Sequence, residues 1–105
     1  MKVISLQHAT GEAKYIRNEY PDVFSACFME NSDPVEIARF DTEEEARAEL
    51  KKYKSTARVM ETCTGKVWCC EAYALEFFEE DEDGEFLSGS DYEMAKAEIT
   101  PDWEE

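Results

Sequence analysis

The sequence predicts an α+β fold: an antiparallel sheet of about four to five strands, one main helix packed on one face, and a short C-terminal helix. Three observations carry this expectation. Short apolar runs rich in aromatic and β-branched residues recur between turn signals, as in half-buried strands. Residues 42–53 have the start, stop and stripe of an amphipathic helix. The 105 residues, 43% of them hydrophobic, fit one domain able to bury a modest core without disulfides or a structural metal. Residues 1–100 are read as that domain and 101–105 as an acidic tail.

Val3, Ile4 and Leu6 predict a first strand over residues 2–7, which Thr10-Gly11-Glu12 punctuates. Ala13, Ile16 and Tyr20 fit one face of a short helix over 13–20, with a strand as the competing reading because of Tyr15, Ile16 and Tyr20. Residues 22–30, with Val23, Phe24, Ala26, Cys27, Phe28 and Met29, read as a strand. Asn31-Ser32-Asp33-Pro34 supplies turn chemistry, and residues 35–40 read as the returning arm of a hairpin.

Thr42 and Glu45 have capping-box spacing at the start of the main helix. Glu43, Glu44 and Glu45 suit the positive end of its dipole, and Lys51, Lys52 and Lys54 the negative end. Ala46, Leu50 and Tyr53 form its apolar stripe. Residues 57–64 and 66–78 then read as a hairpin around Gly65, the second arm apolar on both alternating faces and so central in the sheet. Asp83-Gly84 signals a turn, Glu85-Phe86-Leu87 a brief edge strand, and Ser90 with Glu93 caps a final helix facing Tyr92, Ala95 and Ile99 inward.

Charge is distributed unevenly. The chain carries a net −15; residues 76–105 hold 13 acids against Lys96 alone, a local −12, while the first seventy-five residues contribute only −3. Such a field repels nucleic acid and membranes and attracts basic protein surfaces. Direct nucleic-acid binding is opposed by the same sign, since few cations are present to replace phosphate counterions. Arg47, Lys51, Lys52 and Lys54, interleaved with glutamates, read as solvated helix pairs.

Other chemistry finds little footing. No apolar run approaches the roughly 20 residues of a membrane span, and residues 1–6 are too short for a secretory core, which points to the cytosol. Cys27, Cys63, Cys69 and Cys70 then read as unbridged thiols. With no CxxC pair and His8 the only imidazole, no zinc site is expected. Glu79, Asp81, Asp83 and Gly84 match positions 1, 3, 5 and 6 of an EF-hand-type loop, but Ser90 stands where that loop needs a bidentate Glu. His8 and the cysteines occupy no nucleophile motif, there is no phosphate-binding loop, and the carboxylates lack the unlike surroundings of an acid–base pair. The expectation is a non-enzymatic chain without cofactor.

The acidic third remains the feature that points to a partner. Its bland reading is solubility, or protection of a strand edge from aggregation. The sharper reading is that alternate strand residues, about 6.6 Å apart, set carboxylates at intervals similar to nucleic-acid phosphates. Glu76, Glu79, Glu80, Asp81, Glu82, Asp83, Glu85, Asp91 and Glu93 are the candidate partner-binding residues, with Trp103 as an apolar anchor beside Phe86 and Tyr92.

The strand-rich start, the helix entry Phe40-Asp41-Thr42-Glu43-Glu44-Glu45-Ala46, the Tyr/Leu/Phe strand and the acid-rich end resemble small proteins of bacteriophages and other mobile elements. Several of that class are anti-CRISPR or anti-restriction inhibitors, and many of those imitate DNA. The resemblance implies a basic protein partner, such as a host nuclease or nucleic-acid-binding protein. An immunity or antitoxin-like role against a basic toxin, or an accessory structural role with a merely solubilising surface, are the alternatives.

Overall fold

A computed structural model describes residues 1–13, 23–31, 34–63 and 65–100. The elements run β1 (Lys2–Ala13), α1 (Val23–Asn31), β2 (Val35–Phe40), α2 (Glu43–Leu50), β3 (Ser55–Thr62), β4 (Gly65–Glu80), β5 (Phe86–Met94) and β6 (Ala97–Ile99). The six strands form one sheet in the order β2-β1-β4-β3-β6, with β5 also paired to β4. The β3/β6 pairing is parallel and the others are antiparallel, so the sheet is mixed.

β4 organises the molecule. Its 16 residues are apolar on both faces, so it takes the central place the sequence predicts. β1 runs along one side of it from Lys2 opposite Glu79 to Ala13 opposite Trp68. The other side is shared end to end: β3 pairs with residues 65–71 and β5 with residues 74–80. The result is elongated, 49 × 25 × 20 Å.

Alternation along β4 divides the core in two. Trp68, Cys70, Ala72 and Ala74 pack with Ala9 and Ala57 beneath Val23, Phe24, Ala26 and Cys27 of α1. Leu75 packs with Ile4, Leu6 and Ala95 beneath Ala46 and Leu50 of α2, joined by the half-buried Phe40, Tyr53, Tyr73 and Phe77. Each face thus has its own short helix. α2 is capped as its sequence indicates: the Thr42 side chain, on an extended backbone, accepts from the Glu45 N–H at 3.2 Å.

The predicted α+β fold with one main helix, an antiparallel sheet of four to five strands and a C-terminal helix is therefore corrected to a mostly β fold. Where a strand is expected over residues 22–30, the described residues form α1, Val23–Asn31. Their apolar run lacks a polar counter-face, and such a run does not distinguish a strand from a buried helix; Val23, Phe24, Ala26 and Cys27 form the buried stripe. Val35–Phe40 is a strand, but it pairs with β1, not with residues 22–30.

The C-terminal helix is likewise replaced by β5 and β6. Ser90 and Glu93 have capping spacing, yet Tyr92 and Glu93 face opposite sides of a strand held against β4. The first strand continues past its expected end through Thr10, Gly11 and Glu12, with Gly11 opposite Cys70 at a positive φ of 156° that glycine tolerates. Of residues 13–20, read as helix or strand, only Ala13 is described, as the end of β1; residues 14–20 and the tail 101–105 lie outside the described residues. Among those described, no helix is long and apolar enough to cross a membrane.

Candidate functional site: the acid-rich end of the sheet

The β4–β5 hairpin is closed by its own acid. Asp81 Oδ1 accepts from the N–H groups of Asp83 at 2.9 Å and Glu85 at 2.8 Å, while the Asp81 N–H donates to the Glu85 carbonyl at 2.9 Å. Gly84, at φ 86°, supplies the left-handed residue. This leaves Glu82, Asp83 and Glu85 exposed at the tip, and no cation among the described residues lies within ion-pair distance of them.

Below the tip, on the α2 face, lies a groove of about 520 Å³. Phe77 and Asp91, opposite one another across β4 and β5, line it together with Glu79, Glu93 and Glu43. Arg47 bridges it: its Nε donates to both Glu93 oxygens at 2.9 and 3.1 Å, its Nη1 to Glu43 at 2.8 Å, and its guanidinium lies 5.8 Å from the Phe77 ring centroid. The hydrogen bonds to Glu43 and then Glu93 raise the Arg47 pKa. Glu79 Oε1 is 3.6 Å from the terminal amine of Met1.

The opposite face holds the other two acids internally. Glu80 is only 7% exposed and accepts from Arg39 Nη1 at 2.9 Å. Arg39 also bonds Glu36, and these two carboxylates, Glu36 first, raise its pKa. Glu76 accepts from Gln7 Nε2 at 3.0 Å and meets the Tyr92 phenol, whose pKa is pushed up to about 12 by burial first and by Glu76 second.

The candidate residues are thus sorted into three groups. Glu79, Asp91 and Glu93 converge on the groove; Asp81, Glu82, Asp83 and Glu85 make the hairpin; Glu76 and Glu80 serve contacts on the far face. Trp103 lies outside the described residues. Sequence reasoning missed Glu43, Lys2 and Phe77 in the groove. Glu43 and Arg47 at i, i+4 on one helix were the available signal for part of it. Phe86, Leu87 and Tyr92 are exposed beside the acids.

His8 is partly covered by Tyr73, stacked at 4.5 Å, and its Nε2 is 3.1 Å from Glu71. The four cysteines are free thiols; Cys69 and Cys70 turn to opposite faces, Cys70 buried beneath α1 beside Cys27. Among the described residues no group of His, Cys, Asp or Glu has the arrangement of a metal site.

The fold and this end of it define an acid-rich β-sheet protein with, among the described residues, one helix on each face. No family model, no curated protein and no solved structure matches the chain.

Proposed function

We infer that this chain works by binding and not by catalysis: through its hairpin end it occupies a basic, nucleic-acid-binding surface of another protein, in the cytosol, and keeps nucleic acid away. The observation that carries this reading is the exposure of Glu82, Asp83, Glu85 and Asp91, with no cation among the described residues paired to them, next to exposed Phe86 and Leu87. Unneutralised carboxylates steer a basic surface, and adjoining apolar side chains add contact area that salt does not screen. The resemblance to phage and mobile-element proteins makes a nuclease of a host defence system the target class, with DNA imitation as the mode of inhibition.

Capture from a bacterial lysate on the immobilised chain, compared with a Glu82→Gln, Asp83→Asn, Glu85→Gln, Asp91→Asn variant, tests it. A captured protein is expected to bind DNA alone, to lose DNA when the chain is added, and to escape the variant. Recovery unchanged by the four substitutions, or a captured protein that still holds DNA in the complex, overturns the reading.

A further inference from the structure

β5 leaves one side of its backbone open. Glu80 and Met1 exchange bonds at 3.0 and 2.7 Å, so β4 meets β1 with its even-numbered residues. Its odd-numbered residues turn the other way, where the Ala95 N–H donates to the Tyr73 carbonyl at 2.9 Å. Carried along the register, this phase makes Glu93–Leu75 and Asp91–Phe77 the bonded pairs. Tyr92, opposite Glu76, therefore turns its N–H and C=O away from β4. Among the described residues no strand lies on that side, because β6 pairs with β3 at Ser55–Ala57 and leaves the position beside β5 empty.

Exposed edges are commonly guarded by lysine or proline. Phe86–Met94 contains neither, and its only charged residues are Asp91 and Glu93. A second copy brings the same charges to this edge and is repelled. The two acids lie on one face of β5, and Tyr92 and Met94 on the other, so the complementary strand alternates basic with apolar residues. Phe86 and Leu87, 58% and 57% exposed, extend the apolar cover towards the hairpin.

We propose that the outer edge of β5 is a strand-addition site for an extended segment of a partner protein in which lysine or arginine alternates with apolar residues. Main-chain hydrogen bonds hold the segment, and Asp91, next to a Glu93 already held by Arg47, selects its charge. This rests on the basic partner of the function inferred above and specifies how that partner is gripped.

The test titrates the isotopically labelled full chain with a synthetic peptide of about eight residues alternating Lys and Val. Two analogues N-methylated at alternate amides, one at the Lys and one at the Val positions, and a Glu–Val peptide accompany it. The Lys–Val peptide is expected to slow hydrogen exchange at the Tyr92 amide. One N-methylated analogue should bind about tenfold more weakly, as loss of backbone bonds requires, and the Glu–Val peptide should not bind. Equal binding by both analogues and the parent overturns strand addition, and Glu–Val binding as tight as Lys–Val overturns the charge selection. Absence of all binding overturns the site, whereas the lysate capture, which uses none of these peptides, reads the docking function separately.

Discussion

Arg39 Nη1 donates to Glu80 Oε1 across 2.9 Å, reaching from the edge strand β2 over β1 to the last residue of β4. The carboxylate is almost enclosed and depends on this cation for much of its solvation. Arg39→Met leaves it buried without its charged partner and should lower stability by about 1–3 kcal/mol in urea unfolding. Glu80→Gln, whose amide oxygen still accepts from Arg39, should cost less. Equal stability of Arg39→Met and the parent chain would show that Glu80 swings out to water.

Thr42→Ala removes the side-chain acceptor for the Glu45 N–H at the start of α2. A loss of about 1 kcal/mol is expected, largely restored by Thr42→Asp, which also suits the positive end of the helix. Chemical denaturation of the three proteins checks it; an unaffected Thr42→Ala means that water caps the helix equally well.

Leu75 is fully buried between β1 and α2. Leu75→Ala should cost about 3 kcal/mol, the loss of transfer energy plus a cavity that two flanking strands prevent from closing. Leu87→Ala, on the exposed part of β5, should change stability by less than about 0.5 kcal/mol. Similar effects at the two positions would contradict the burial assigned to β4.

Cys27 is hydrogen-bonded to Cys70 and buried, and these two causes, in that order, raise its pKa. Both thiols should resist Ellman's reagent in the native protein, while exposed Cys63 reacts first. The folded chain keeps a proton on Cys27 that the unfolded chain releases near pH 8.5, so this contribution to stability is intact below that pH and declines as pH rises above it. Tyr92 acts in the same direction higher up, between about 10 in the unfolded chain and about 12 in the folded one. Spectrophotometric titration should show late phenolate formation that Tyr92→Phe reduces, leaving the contribution of Tyr73, whose pKa is raised by burial and then by Glu71.

Local signals were legible where chemistry is local. Thr42 and Glu45 announce a helix start, Gly65 a reversal, and the two-faced apolar pattern of β4 its central position. What failed depends on neighbours distant in the chain. Val23, Phe24, Ala26 and Cys27 suit a strand as well as a helix until the surface presented by Ala72 and Ala74 is known. Tyr92, Ala95 and Ile99 have helical spacing, but the open backbone of β4 at Ala74–Phe77 draws 91–94 into a strand. The acids were visible as a run along the chain. Their separation into hairpin, groove and far-face groups follows from strand alternation and from Arg39 and Arg47, which no count of charges could place.

The pairing of Met1 with Glu80 joins residues 79 positions apart. β1, synthesised well before β4, has no permanent neighbour on that side until β4 has been made. Assembly of the sheet must close this long chain loop before much contact energy is returned, which favours slow folding. In the interval the nascent apolar stretch Val3–Leu6 is exposed to wrong pairings, so yield in the cell should respond to chaperone supply more than the modest length of the chain suggests.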